Sequence, residues 1–481
     1  AGLAIQFLIE AVLLSLVALV LAVGLAWIAL PIFRVVADRP VVLADLGMWW
    51  AALVALTVGT GLLAGTYPAF VLSGFRPVQV LKGRFSTGSQ GTALRHGLVG
   101  LQFTASIALL AATAIVFGQL RFMQDRDLGF DVGGDQTQLV LLPEAINEDV
   151  VPRLPELREQ ISALAHVQGL SIGLSAPTNG GGTGSGWVER ADGSQQEMLA
   201  AMYVADTSLA SVMGLTQIAG RGMRPMHTPD SPREALINET AARQAGYDEP
   251  GDALGKQADF WGLNATIVGV VRDFHTQGLQ AEIQPAFLSP LPLVDSGELE
   301  AGFLNNILIR VGTDDLGATL DAIQAIWTDL VPTRPFEYAF MDERFAEQYE
   351  AEQRFGTLFL FFAGLAIAIA LLGLFGLAAH SASKRVKEIG VRRVLGATVV
   401  QVVALLGRGT VALVLVSIAL AVPAVVVGMN RWLDGFAYRI DVGWLPFALA
   451  GGAVLTLALA TVAYHAVRAA RANPAASLRD E

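Results

Sequence analysis

Six long stretches without a formal charge punctuate this chain of 481 residues: Ala11–Phe33, Leu46–Phe75, Gly97–Leu120, Phe355–Ser383, Gly409–Asn430 and Val442–Val467. Each reaches the roughly 20 apolar residues that a helix needs to cross about 30 Å of hydrocarbon. A charge at the centre of such a helix costs about 2.5–3.5 kcal/mol or more, so its absence from so many consecutive positions carries information. Helices of soluble cores usually run about 8–20 residues, and a soluble core would not repeat this pattern so often. The sequence therefore predicts six membrane-spanning helices.

The formal charge of −11 is unevenly spread. Between the third and fourth runs, Arg121–Arg354 holds 15 Lys or Arg against 35 Asp or Glu, which leaves about −20 there and about +9 elsewhere. Short cytoplasmic loops are enriched in Lys and Arg. Arg76, Lys82, Arg84 and Arg95 follow the second run; Lys384, Arg385, Lys387, Arg392, Arg393 and Arg408 follow the fourth, against Glu388 alone; Arg468, Arg471 and Arg479 follow the sixth. Alternate threading puts all three basic segments on one side. The sequence thus predicts a multi-pass protein of the plasma (inner) membrane, with its basic segments in the cytoplasm and its acidic block outside.

With no cysteine in the chain, the outer block must be held by its own apolar core rather than by disulfides. The first apolar run lacks the basic start and small-residue cleavage pattern of a signal peptide and is too long for one. The chain starts at Ala1, at the entrance to a span, from which a missing upstream part is expected. An internal echo agrees. Tyr67, Pro77, Leu81 and Lys82 after the second span recur, at equal spacing, as Tyr464, Pro474, Leu478 and Arg479 after the sixth. This is the mark of a duplicated membrane unit.

The outer block reads as mixed α/β. Strand patterns fall at Thr137–Leu142, Glu197–Val204, Ala235–Asn238, Ala265–Val271, Asn306–Val311 and Glu337–Phe340; helical patterns fall at Leu154–Val167, Glu239–Ala245, Leu316–Leu330 and Asp342–Phe355. Asn238 is placed to cap the second of these helices. The last has no evident break before the fourth span and is expected to run on as a stalk.

Catalytic patterns are scarce. Gly251–Gln257 has a glycine and Lys256 but neither the spacing nor the hydroxyl of a P-loop. Asn179–Gly186, reading NGGGTGSG, is expected to be a flexible loop. His96, His166, His227, His275, His380 and His465 show no helical zinc pairing. The group Arg272, Asp273, Phe274, His275 reads as a strand end whose Arg and Asp satisfy local backbone groups, rather than as a catalytic set. No nucleophile elbow stands beside suitable partners, and an acidic block is no nucleic-acid surface. The cytoplasmic segment 381–408 does stand out. Val386, Ile389, Gly390, Val394 and Ala397 share one arc of a helical wheel, Arg385, Glu388 and Arg392 share the other, and Glu388 and Arg392 are spaced for an i, i+4 pair. Such a helix suits either a membrane surface or a groove on a cytoplasmic partner.

The decapeptide Glu388–Ala397, EIGVRRVLGA, resembles the coupling-helix motif of MacB/FtsX-type (type VII) ABC-transporter permeases. Tyr67-Pro68-Ala69-Phe70 with Leu72-Ser73, Pro77 and Val80-Leu81-Lys82-Gly83 resembles the end of the first half of their eight-span members. Gly269–His275 resembles a strand of the MacB-like periplasmic core domain, Asn430–Leu433 with Phe436–Ile440 resembles the last outer loop, and Ala472–Ala475 with Ser477–Arg479 resembles the tail. The resemblance implies a non-catalytic permease subunit. It binds no cofactor of its own, and ATP and Mg belong to a separate ABC ATPase dimer. ATP-driven closure of that dimer would be relayed through the spans to work on an extracytoplasmic substrate. Carried over by position, the ATPase contact is Arg385, Lys387, Glu388, Ile389, Arg392, Arg393 and Leu395. Membrane lipid, with a second permease copy or a periplasmic partner, completes the implied partners; nucleic acid is not among them. A receptor or regulator of a periplasmic enzyme is the alternative use of the same parts.

The expected fold is an α-helical polytopic membrane protein with one mixed α/β extracytoplasmic domain. Residues 1–75 form a helix pair ending a first half, 76–96 a cytoplasmic linker, 97–120 a span and 121–354 the periplasmic α/β domain. A span at 355–380, the coupling helix at 381–408, an FtsX-like pair of spans at 409–467 and a cytoplasmic tail at 468–481 complete the chain. Eight-span members carry two outer domains and two coupling helices, whereas six spans and one of each are visible here. Either the sequence is a fragment, the favoured reading, or another copy supplies the rest.

Overall fold

The computed structural model describes residues 2–37, 40, 42, 47–73, 89–130, 137–142, 149–173, 182–226, 232–275, 278–290, 306–384, 388, 391, 392 and 395–471. In chain order the helices are α1 (Gly2–Ala37), α2 (Trp49–Ser73), α3 (Ser89–Gln124), α4 (Leu154–Ser162), α5 (Leu209–Val212), α6 (Glu239–Gln244), α7 (Leu316–Leu330), α8 (Met341–Glu347), α9 (Glu350–Lys384), α10 (Val399–Leu433) and α11 (Leu445–Arg471). The strands are β1 (Thr137–Leu142), β2 (Val167–Gly173), β3 (Gly182–Glu189), β4 (Gln195–Ala205), β5 (Gln217–Gly220), β6 (Glu234–Asn238), β7 (Gln257–Phe260), β8 (Ala265–Val271), β9 (Ala286–Pro290), β10 (Asn306–Gly312) and β11 (Ala339–Phe340). Contacts divide the chain into a helical unit, residues 1–117, 353–429 and 442–481, and an α/β unit, residues 118–352 and 430–441.

In the helical unit, the six helices α1, α2, α3, α9, α10 and α11 are long and apolar enough to cross a membrane, as the uncharged runs predict. Small residues set how closely they approach, as expected where lipid leaves no hydrophobic drive between helices. Gly61 and Gly65 of α2 face α1; a Cβ at Gly61 would lie 2.9 Å from the Val12 Cα, and one at Gly65 3.0 Å from the Ala11 Cβ. Gly100 of α3 meets Leu413 of α10 in the same way, and the Ser417 hydroxyl donates to the Gly100 carbonyl at 2.9 Å. Outward side chains such as Val20 and Leu63 are exposed and apolar, the surface a span presents to lipid.

The α/β unit has two layers of strands. One runs β11-β1-β10-β2, and α4 and α7 pack on it through Leu157, Ile161, Ile323 and Trp327. β1 is buried on both faces: Val140 and Leu142 meet these helices, while Leu139 and Leu141 enter a second core with Tyr203, Leu236, Phe274 and Phe345. In the other layer β4-β3-β7-β8-β6-β9 closes on itself, because β9 pairs with β4 in parallel register from Ala201↔Ala286 to Ala205↔Pro290. Met202, Phe260, Ile267 and Phe287 form part of its own core. Gly173↔Ala205 joins β2 to β4 and so links the layers.

Four expectations need correction. The helix expected over Leu154–Val167 ends at Ser162, because Val167 opens β2, whose backbone pairs with β10. The glycine run expected to be a loop is strand β3 from Gly182 onward, while Asn179–Gly181 lies outside the described residues. Its glycines make room for rings: a Cβ at Gly182 would meet the Trp261 indole at 2.3 Å, and one at Gly186 the Phe260 ring at 2.3 Å. The strand expected over Glu337–Phe340 is paired only at Ala339 and Phe340. Finally, the helix expected to continue from Asp342 into the fourth span is interrupted between α8 and α9. There Gln348 and Tyr349 donate to Phe345 and Ala346, three residues back, as in a tightened last turn. The buried Tyr349 hydroxyl is drawn to the Leu279 amide at 2.9 Å.

Candidate functional site

Two places merit attention, and the first is the expected coupling segment. Of the seven predicted contact residues the structure describes Glu388, Arg392 and Leu395, whereas Arg385, Lys387, Ile389 and Arg393 lie outside the described residues. Pro77, Leu81, Lys82, Pro474, Leu478 and Arg479, which mark the internal echo, also lie outside them. Glu388 and Arg392 form the i, i+4 pair at 2.8 Å, with both side chains nearly half exposed, so its contribution is only about 0.3–0.5 kcal/mol. Leu395 is 81% exposed beside Val391, also exposed.

The chain then turns a tightly specified corner. Gly396 takes φ +94°, and the Ala397 amide donates to the Arg392 carbonyl at 2.9 Å, the six-to-one bond of a glycine-terminated helix. Two residues later Thr398 and Gln401 cap α10 reciprocally. The Thr398 amide donates to the Gln401 Oε1 at 2.9 Å, and the Gln401 amide donates to the Thr398 Oγ1 at 3.3 Å, a capping box with Gln at its third position. Helix end and helix start are thereby separated by a defined turn rather than by slack chain.

The second place lies within the α/β unit, on the connection between β8 and β9. Three parts of the unit that adjoin spanning helices in sequence meet there, around His275, Leu279 and Gln280. From the end of α3 comes Gln119, fully buried, whose Nε2 donates to the Tyr438 carbonyl at 2.7 Å while its Oε1 accepts from the Ile440 amide at 2.9 Å. Its amide therefore acts as a piece of backbone would. From the loop between α10 and α11 comes the Ala437 amide, which donates to the Gln280 carbonyl at 3.0 Å. From the α8–α9 break come Tyr349, bonded to Leu279, and Glu352, whose Oε1 accepts from the Gln280 Nε2 at 2.9 Å.

Rings complete the clasp. The Arg126 guanidinium lies 4.2 Å from the centre of the Tyr438 ring, a cation–π distance, and His275 meets that ring edge-on at 5.2 Å. Gly129 brings Arg126 close: at φ +80° it passes so near β8's end that a Cβ would lie 2.3 Å from the Asp273 carbonyl oxygen, and the His275 amide donates to the Leu128 carbonyl at 2.8 Å. His275 is buried, and this burial, aided by Arg126 and opposed by Asp127 and Asp273, pulls its pKa down to about 4. Its ring is neutral at ordinary pH. Burial likewise raises the Tyr349 phenol, with the Leu279 bond opposing and Glu352 adding.

Asp273 fulfils the expected local duty. Its carboxylate accepts from the Thr240 amide and hydroxyl, both at 2.8 Å, and from Arg243 at 2.6 Å, while its own amide donates to Glu239 at 2.9 Å. The Arg272 amide donates to the Thr216 carbonyl at 2.8 Å. This cluster ties β8 to α6. Gln119, Arg126 and Gln280 were not singled out by the sequence; the available signal was a glutamine at the end of a mostly apolar run. Among the described residues no three His, Asp or Glu side chains approach as metal ligands.

Two family models match the chain: the MacB-like periplasmic core domain over residues 102–326 and the FtsX-like permease C-terminal region over residues 360–474. No curated protein matches it. Among solved structures, the periplasmic region of MacB from Actinobacillus actinomycetemcomitans aligns at 16% identity and a TM-score of 0.32, over 46% of this chain and 94% of that one. The extracellular domain of the ABC-type transporter YknZ from Gram-positive bacteria aligns at 14% identity and a TM-score of 0.28, over 42% and 98%. The decapeptide Glu388–Ala397 lies inside the FtsX-like match and the segment Gly269–His275 inside the MacB-like one. Both matches on one chain, with six helices long and apolar enough to span a membrane and an α/β domain of periplasmic type, make it a member of the MacB/FtsX-type permeases of ABC transporters.

Proposed function

We propose that this permease carries work from a separate ABC ATPase dimer to a substrate outside the membrane, without passing that substrate through its spans. ATP and Mg are held by the ATPase, and no cofactor by this chain. The chain sits in the plasma (inner) membrane with its α/β unit outside. The observation that carries this reading is the convergence around His275, Leu279 and Gln280, where Leu128 after α3, Tyr349 and Glu352 beside α9, and Ala437 between α10 and α11 meet the connection between β8 and β9. A stroke entering any of these helices would arrive at one place. The absence of formal charge from the runs within the spans, which Glu10 and Arg408 flank without entering, supports a relay rather than a polar solute path.

The ATPase would be engaged through Arg385, Lys387, Glu388, Ile389, Arg392, Arg393 and Leu395. The exposed Leu395 offers an apolar contact beside the Glu388–Arg392 pair, and the Gly396–Gln401 corner would convert a push on this segment into a displacement of α10. Affinity capture of the intact chain from its own membranes tests the assignment. The wild type should retain an ATPase, and reversal of Arg392 and Arg393 to Glu should cut its recovery at least about tenfold, as expected when an interface meets like charge. Recovery at the wild-type level would overturn the docking surface.

A further inference from the structure

Residues 430–441, the last turn of α10 and most of the loop that follows, belong to the α/β unit, while the rest of α10 and α11 belong to the helical unit. Leu433 and Phe436 are buried and Ile440 lies against Gly118, while the polar bonds between residues 437–440 and the rest of the α/β unit are few. Gln119 supplies two side-chain bonds, Gln280 one backbone bond, and Arg126 and His275 a ring contact. No strand ladder joins residues 436–440 to the sheet among the described residues, and Ala437 and Arg439 are exposed. By contrast β6, a neighbour in the same unit, is fixed by ladders on both sides, to β8 and to β9. Gln119 is an unusual choice for the end of an apolar run, because a buried amide must keep both of its hydrogen-bonding functions satisfied. Here both are spent on one partner, the backbone of Tyr438 and Ile440, so the side chain has no other task in the fold.

We infer that Gln119 is the positioning residue of a latch that opens and recloses during the working cycle, holding the α10–α11 loop against His275 and Gln280 in one state and releasing it in the other. As a device for coupling it rests on the reading above, but its geometry does not. Two discrete arrangements of a small contact are what a relay requires. The bonds made by Gln119 are few, directional and made to backbone atoms, so loop movement breaks them together rather than stretching a continuous ladder.

Hydrogen exchange on the intact chain in nanodiscs tests the latch without any partner. The Ile440 amide, the one bonded to Gln119, should exchange at least about tenfold faster than the Ile237 amide in β6. Gln119→Leu, which keeps the bulk but loses both bonds, should speed Ile440 at least about tenfold more and leave Ile237 unchanged. Protection of Ile440 equal to that of Ile237 in the wild type would make the contact a fixed brace and sink the proposal.

The chain has no native cysteine, so a Gln280→Cys/Ala437→Cys pair gives a clean lock where the two backbones already meet. In the complex with its copurified ATPase, oxidation should lower ATP hydrolysis at least about tenfold and a reductant should restore it, an effect that a merely structural bond would not produce. Unchanged hydrolysis by the oxidised pair would overturn the latch. If no ATPase accompanies the wild type, the permease reading fails, and exchange at Ile440 still decides the latch.

Discussion

Asn238 has no exposed surface and makes three hydrogen bonds: its Oδ1 accepts from the Ala241 amide at 3.0 Å and the Ala286 amide at 2.9 Å, and its Nδ2 donates to the Gln284 carbonyl at 2.9 Å. The first is the helix cap that its position before α6 predicts. The other two pin β9 beside β6. Asn238→Ala would strand two buried donors and one acceptor, and a loss of about 3 kcal/mol is expected in the denaturant unfolding of the α/β unit, read by tryptophan fluorescence. A change within about 0.5 kcal/mol, as for a surface site, would contradict the account. Only the cap was legible in the sequence, because it depends on neighbours three residues away, whereas the bonds to residues 284 and 286 exist only after the chain has folded back. Gln119 poses the same problem over a far longer separation, which is why nothing local to it announces its partners. Gly396 is the opposite case. Its left-handed backbone is a local demand, and Gly396→Ala is expected to cost about 1–2 kcal/mol in the corner before α10, seen as faster exchange of the Ala397 amide.

At the level of elements, the clasp has a definite pH dependence. His275 stays neutral in the fold down to about pH 4, against a usual value of 6.5. Between those values the unfolded chain holds the additional proton, so stability rises with pH across the window and is lost as pH falls from 6.5 towards 4. At pH 4.5 the loss relative to pH 7 is expected to be about 2–3 kcal/mol from this group. His275→Gln should flatten that part of the pH profile of unfolding, and an unchanged profile would show that the ring is not desolvated. The strands divide by the same logic of local and distant cause. β1 and β8 match the residues expected from runs of branched apolar side chains, Thr137–Leu142 and Ala265–Val271. β3 hid because its glycines lower every local strand signal; the Phe260 and Trp261 rings that require them come from β7 and the turn after it. The break between α8 and α9 hid too, since no Gly or Pro marks it and its cause, the Leu279 amide, is distant in sequence.

For the whole molecule, the order of spans and the single α/β block follow from composition alone, because hydrocarbon length and charge exclusion leave a chain few options. The pairing of strands does not. Orientation is open to a direct check: in sealed inside-out vesicles, protease should reach the segment around Lys387 and spare the region around Asp248, and cleavage of both on one face would reverse the topology argued from the basic segments. One closed circuit of strands, β4-β3-β7-β8-β6-β9, sets the mechanical character of the α/β unit. β8 and β9 are both members, and the connection between them, residues 272–285, carries the contacts of His275, Leu279 and Gln280. A tug applied there cannot unzip an end strand one bond at a time, since the circuit has none to offer; the ladders that hold it must shear in concert. The hoop would therefore travel as a solid body when hauled by its handle, and deformation would be confined to the handle itself.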